Sequence, residues 1–229
     1  MTTSWRPESR QPESWQPDTP RGPARVDLTL PAGGPAAWLA LGHGAGGNVD
    51  TPDLVAVRDV ALHAGVAVAL VTQPYRVAGR RTPPPAAHLD QAWTAVLGAV
   101  RADKAVLARV PLLVGGRSSG ARVACRTATA TGAAGVVALA FPLHPPGRPE
   151  RSRAAELDTG VPTLVVNGDR DPFGVPDGSP TVRVVVLPGE RHDLKRDPAA
   201  VAAAVAAFLH DHGWTDRWAG TAGKPRTGG

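Results

Sequence analysis

The residues best placed to do chemistry are a serine set between glycines and, later in the chain, a histidine and two aspartates. Gly116-Arg117-Ser118-Ser119-Gly120 fits G-x-S-x-G with Ser118 at its centre. An apolar run, Leu112–Val114, precedes it, and an Ala-rich stretch to about Ala130 follows. A strand turning sharply into a helix presents the central serine at its tip in strained backbone, and small residues two before and two after avoid clashes. The N–H of Ser119 then lies at a helix N-terminus, where negative charge is stabilised. No G-K-[ST] follows, so the turn is not a phosphate-binding P-loop.

A serine hydroxyl is a poor nucleophile without a base. The expected order is nucleophile, acid, histidine, with each partner on a loop after a later strand. Asn167-Gly168-Asp169-Arg170-Asp171-Pro172-Phe173-Gly174 follows the apolar run Thr163–Val166, and Pro188-Gly189-Glu190-Arg191-His192-Asp193 follows Val182–Leu187. His192 is the only histidine in a late post-strand loop and reads as the general base. His210 and His212 fall at a helix end and read as surface residues. Of the two acids, Asp171 is preferred to Asp169, because a turn of a few residues past the strand reaches the histidine loop. Asp169 stays open as the alternative, its other reading being a loop cap or a partner of Arg170.

A third glycine-rich loop, Gly42-His43-Gly44-Ala45-Gly46-Gly47, follows Ala37–Leu41. It also fits the dinucleotide fingerprint G-x-G-x-x-G. That reading needs an acid at the end of the next strand, and that strand ends Val71-Thr72-Gln73. The loop reads better as the source of a second oxyanion N–H, from Ala45 or, close behind, Gly46. His43 reads as ordering this loop. Arg76, Arg80 and Arg81 lie after Val66–Val71, at the site's edge. They either select an anionic substrate or fix and solvate the loop. Arg117 and His144 join His43 as further candidates for contacting substrate, with a turn-stabilising role equally open for His144.

The elements that must carry these loops alternate strand and helix. Strands are expected at Val26–Leu30, Ala37–Leu41, Val66–Val71, Leu112–Val114, Val136–Ala140, Thr163–Val166 and Val182–Leu187. Thr51-Pro52-Asp53 reads as N-cap, N1 and N2 of a helix ending at Gly65. Leu89, Trp93, Val96, Leu97 and Val100 fall at helical spacing, and Asp197-Pro198 caps a last Ala-rich helix ending at Gly213. Such alternation predicts right-handed βαβ units, a mostly parallel sheet and a three-layer α/β/α sandwich whose site lies at the strands' carboxyl ends. The stretch 141–162 is too short for a large helical cap.

With 229 residues, 42% of them hydrophobic and 4% aromatic, the chain builds one domain around Ala, Val and Leu. Residues 1–24 are expected to be a disordered tail, 25–213 the folded domain and 214–229 a second flexible tail. The first tail repeats itself: Ser4-Trp5-Arg6-Pro7-Glu8 recurs as Ser14-Trp15-Gln16-Pro17-Asp18. An inert tail is the preferred reading and a docking motif the alternative. The net charge is +5. The body carries no Lys/Arg run, which argues against a nucleic-acid partner. There is no 18-residue apolar run, no apolar leader segment and a single cysteine, Cys125, so neither a membrane partner nor secretion is expected and the cytoplasm is. No H-E-x-x-H or C-x-x-C appears, so neither metal nor cofactor is expected.

The segments LGHGAGG, QPYRVAGRRTPPP, GGRSSGARVA, FPLHPPGRPER, VNGDRDPFG and GERHDLK, in that order, resemble the α/β-hydrolase-like domain of the KANL3/Tex30 group and its bacterial relatives, themselves similar to dienelactone hydrolases. The resemblance covers about residues 37–212. It implies the α/β-hydrolase fold and a triad of Ser118, Asp171 and His192. Members usually carry Met or Leu and then two glycines after the nucleophile; here Ser119, Gly120 and Ala121 follow. Taken together, Ser118, Asp171, His192 and the oxyanion N–H groups lead to the expectation of a serine hydrolase acting on a small-molecule carboxylester or related acyl substrate through an acyl-enzyme. The alternative is a silent relative that binds or scaffolds.

Overall fold

The structure is a computed structural model and describes residues 11–215. Eight strands form a single sheet: β1 (Glu13–Trp15), β2 (Arg25–Thr29), β3 (Ala37–Gly42), β4 (Val66–Thr72), β5 (Leu112–Arg117), β6 (Gly135–Leu139), β7 (Thr163–Gly168) and β8 (Val182–Leu187). The spatial order is β1-β2-β4-β3-β5-β6-β7-β8. The first two strands are antiparallel to their neighbours, and the six from β4 to β8 run parallel. Five helices accompany them: α1 (Pro52–His63), α2 (Pro74–Val77), α3 (Ala86–Asp103), α4 (Ser119–Thr131) and α5 (Pro198–Asp211).

The central strands β3 to β7 are buried on both faces, which is why they read as unbroken apolar runs rather than alternating ones. One face of the sheet packs against α3 and α4 through Trp93, Val96, Val123 and Ala124. The other packs against α1 and α5 through Leu54, Val57, Val205 and Phe208. The expected three-layer sandwich is therefore present. Between β6 and β7 there is only a single short 3-10 turn at Ala154–Leu157, with no cap.

Two boundaries need correction. Residues 11–24, expected as part of a disordered tail, are built into the fold. β1 pairs with β2, the Pro17 carbonyl accepts the Ala24 N–H at 3.0 Å, and both residues are buried. Lys104 reaches Glu13 at 2.7 Å and lies 5.4 Å from the Trp15 ring. A three-residue edge strand held by backbone bonds has no apolar period for the sequence to display. Trp15 thus packs on the core, while the Ser4-Trp5 half of the repeat lies outside the described residues. Trp214, assigned to the C-terminal tail, is buried beside Phe208 and against Gly135, where its ring fills the space a Cβ would need. Residues 216–229 lie outside the described part. Among the described residues no helix is long and apolar enough to cross a membrane.

Candidate active site

The loops after β3, β5, β7 and β8 meet at the carboxyl edge of the sheet. At the centre is the β5–α4 turn. Ser118 has φ 53° and ψ −107°, a conformation costly for a residue with a side chain. The surroundings impose it. A Cβ on Gly116 or on Gly120 would stand 2.5 Å from the Gly42 carbonyl oxygen. The elbow is pressed onto the end of β3 this closely, so both flanking positions require glycine. The Ser118 N–H is donated to Leu139 at 2.9 Å, fixing the turn to β6 as well.

Ser118 Oγ lies 2.8 Å from His192 Nε2, and His192 Nδ1 lies 2.8 Å from Asp171 Oδ2. With its proton on Nδ1, the imidazole donates to Asp171 and accepts from Ser118, an orientation that suits proton abstraction from the hydroxyl. The Asp171 side chain is fully buried, and its other oxygen accepts the Phe173 N–H at 2.9 Å in an Asx turn. The Phe173 ring stacks on His192 with centroids 4.2 Å apart. Asp169 points elsewhere and caps the neighbouring loop by accepting the Gly189 N–H at 2.7 Å. The two aspartates are thus separated by geometry: Asp171 meets the histidine and Asp169 fastens the histidine loop.

The acid and histidine loops are stitched together. Arg170 N–H donates to the Glu190 carbonyl at 3.0 Å. A Cβ on Gly168 would collide with that same carbonyl at 2.2 Å. Buried Glu190 in turn accepts the Asp197 N–H at 2.6 Å, holding the chain as it enters α5. Asn167, at 0% exposure, joins the β6 and β7 loops: it accepts from Phe141 N–H at 2.8 Å and donates to the Phe141 and Gly174 carbonyls at 2.9 and 3.1 Å.

On the opposite side of Ser118 lies the loop after β3. His43 is almost wholly buried; its Nε2 accepts the Gln73 N–H at 3.0 Å and its Nδ1 donates to the Gly44 carbonyl at 2.8 Å. Burial pushes the His43 pKa down, with the charge of Arg76 adding to it and the Gly44 bond opposing it. The Gly47 N–H also reaches the Gly44 carbonyl, at 3.1 Å. In a trans peptide the N–H points opposite the C=O, so fixing this carbonyl fixes the Ala45 N–H. Tyr75 O–H donates to the Ala45 carbonyl at 2.5 Å, which in the same way orients the Gly46 N–H. The N–H groups of Ala45, Gly46 and Ser119 have no acceptor among the described residues. Gly44 touches the elbow directly, since a Cβ there would be 3.7 Å from Ser118 Cβ.

The arginine candidates separate. Arg76 is consumed by the loop-fixing role: its guanidinium donates to the Gly47 carbonyl at 3.0 Å, the Arg80 carbonyl at 3.1 Å and Asn48 Oδ1 at 2.9 Å. Arg80 and Arg81 are exposed. Arg80 lines a cavity of about 220 Å³ together with Arg21, Tyr75 and His88. Arg117 turns inward, its side chain largely buried, and donates to the His192 carbonyl at 2.8 Å. His144 packs on the turn at Gly174: its Nδ1 meets the Pro145 carbonyl at 2.9 Å and its backbone N–H donates to the Phe173 carbonyl. Phe173, Asn167, Tyr75 and Asp53 were not singled out as site residues. Phe173 and Asn167 belong to the segment VNGDRDPFG, Tyr75 belongs to QPYRVAGRRTPPP, and Asp53 was read only as the N2 residue of a helix.

Residues 35–201 match the family described as alpha/beta hydrolase domain. The chain belongs to that family. It is similar in fold to an α/β serine hydrolase without lid from Xanthomonas campestris (TM-score 0.70, 20% identity, covering 88% of this chain and 95% of that one). It is also similar to the dienelactone hydrolase of Anabaena variabilis (0.70, 17%, 90% and 100%) and to Est1E of Butyrivibrio proteoclasticus with ferulic acid bound (0.70, 17%, 86% and 98%). No curated protein matches the chain. This α/β-hydrolase-domain protein thus shares its architecture with a serine hydrolase without lid, and its own gap between β6 and β7 agrees with that likeness.

Proposed function

We propose that this α/β-hydrolase-domain protein is a serine esterase-type hydrolase acting on a small-molecule ester. The observation that carries the reading is the continuous chain Ser118 Oγ–His192 Nε2 and His192 Nδ1–Asp171 Oδ2, each link 2.8 Å, with the serine in an elbow of positive φ. In this mechanism His192 takes the hydroxyl proton as Ser118 Oγ attacks the ester carbonyl. Asp171 holds the Nδ1–H tautomer and stabilises the imidazolium. The N–H of Ser119 and that of Ala45, with Gly46 as its neighbour, receive the oxyanion. His192 returns its proton to the leaving alkoxide, and water admitted by the same base then cleaves the acyl-enzyme.

The absence of a cap leaves entry to the site to loops alone, which suits small esters. The ferulic acid bound to Est1E makes aromatic carboxylic esters a rational first series alongside aliphatic ones of varied chain length. A fluorophosphonate that labels wild type but not Ser118→Ala supports the reading. No labelling of the wild type, or equal labelling of both, would replace it with a protein that binds but does not turn over.

A further inference from the structure

Arg117 occupies the x position of G-x-S-x-G, which the elbow geometry leaves chemically unconstrained. Its side chain is nevertheless only 14% exposed. Three contacts account for it. Nη2 donates to the His192 carbonyl at 2.8 Å. Nη1 lies under Gly44, 3.2 Å from where a Cβ would stand. Nε lies 3.1 Å from Asp53 Oδ2. Asp53 is the second residue of α1, its side chain is completely buried, and neither of its oxygens accepts an aligned hydrogen bond. Burial pushes its carboxyl up, and the neighbouring Thr51 hydroxyl, then the Arg117 charge and the first N–H groups of α1, oppose that. A buried carboxyl keeps its charge only where a cation or hydrogen-bond donors face it, and the cation within ion-pair distance of Asp53 is Arg117.

We propose that Asp53 and Arg117 form a positioning strut that locks the backbone of His192 to the backbone of Ser118. The inference rests on the reading of Ser118 and His192 as the reacting pair. Its logic is one of leverage. Arg117 is the residue next to the nucleophile, so a bond from its guanidinium to the His192 carbonyl ties base and nucleophile through a single side chain. The histidine loop needs such a tie: it is irregular, and Leu194 within it has φ 44°. Asp53 acts through Arg117, holding the planar guanidinium in the orientation that aims Nη2 at the carbonyl. The same group supports Gly44, so both walls of the site rest on it. The other charge near the guanidinium is Asp193, whose carboxyl is held low mainly by Lys195 and to a smaller extent by Arg117. Neither Asp53 nor Arg117 touches a reacting atom, so both are positioning residues.

The test uses the full chain and four variants: Arg117→Gln, Arg117→Lys, Asp53→Asn and the Asp53→Asn/Arg117→Gln double. Hydrolysis of p-nitrophenyl acetate gives kcat and KM, fluorophosphonate labelling gives the reactivity of Ser118, and proton NMR follows the His192 Nδ1–H shared with Asp171. Arg117→Gln is expected to lower kcat about 10- to 100-fold with KM within about twofold, the scale of a small misplacement of reacting groups. Asp53→Asn should act in the same direction, and the double variant should be no worse than Arg117→Gln alone. Arg117→Lys, which keeps a charge opposite Asp53 and so keeps the fold, should recover part of kcat. A raised KM with kcat intact would make Arg117 a substrate contact and overturn the strut, as would additive losses in the double variant. If wild type neither hydrolyses nor labels, the hydrolase reading falls by itself. The NMR arm then decides the strut: loss of the His192 signal in folded Arg117→Gln supports it, and an unchanged signal overturns it.

Discussion

Replacing Asn167 by Leu tests how the site's loops are held. The two side chains are close in volume, so the change removes hydrogen bonds while leaving little void. The bonds removed are those to Phe141 N–H, Phe141 C=O and Gly174 C=O. Asn167 and Phe141 are wholly buried, so water does not replace the partners lost at Phe141, and Gly174 is half-buried. An orphaned buried donor costs about 2 kcal/mol and each orphaned carbonyl about 1, a loss of about 4 kcal/mol. The extra apolar surface of leucine returns about 1 kcal/mol, leaving a net loss of about 3 kcal/mol. For a chain of this size that lowers Tm by about 6–12 °C. Urea denaturation with an unchanged m-value, together with calorimetry, measures it. Because Gly174 closes the turn that carries Asp171, ester hydrolysis should fall as well. A stability loss below about 1 kcal/mol would refute the accounting, since it lies under the cost of even one orphaned donor. Asn167→Asp gives a second check with a sign. One oxygen still accepts from Phe141 N–H, but the other faces two carbonyls and is stable there only when protonated. The folded-state pKa is then raised, the native state binds more protons than the unfolded one, and stability should fall as pH rises above about 4.

Asp171→Asn should remove the acceptor that fixes the Nδ1–H tautomer of His192 and lower kcat about 10⁴-fold while the protein stays folded; a loss under about tenfold in p-nitrophenyl ester assays would exclude Asp171 as the partner. His43 is buried and neutral with its pKa pushed down. The unfolded chain therefore binds the proton that the folded one refuses, so stability should decline as pH falls below about 6.5. In His43→Gln that slope should flatten between pH 5 and 7 in urea titrations, with kcat also falling about 100-fold if the Ala45 N–H loses its orientation. Burial pushes the Cys125 thiol up to about 12. Native protein should thus resist a thiol reagent such as iodoacetamide and react only at the rate of unfolding; fast native labelling would contradict the packing of α4.

Motif and topology were legible because both follow from local rules. The β5–α4 turn needs small residues on either side of Ser118, and the glycines are visible in the sequence. The seven strands expected all appear: β3 to β7 because buried parallel strands are unbroken apolar runs, and β2 and β8 because Val and Leu dominate them. Asp171 rather than Asp169 lies against His192 for a reason only partly visible beforehand: Asp169 is engaged by the Gly189 N–H from the next loop. What escaped was whatever depends on contacts between distant segments. β1 has no pattern of its own and exists because β2 offers an edge and Lys104 a partner for Glu13. Asn167 looks like any post-strand asparagine until Phe141 is brought beside it.

The arginines mark the limit most clearly. Arg76, Arg80, Arg81 and Arg117 were indistinguishable as cations near a site, yet the fold gives them different work. Arg76 meets three acceptors on loop backbone and side chain, Arg80 and Arg81 face solvent, and Arg117 faces a buried carboxylate. A guanidinium's role follows from what its five donors meet, and those partners lie 28 to 75 residues away for the bonds that matter here. Asp53 shows the same limit from the acidic side. At the N2 position of α1 it reads as an ordinary first-turn acid favoured by the helix dipole. Full burial beside Arg117 gives that carboxylate a second task, in which the start of α1 and the x of G-x-S-x-G belong to one construction under the serine and the histidine.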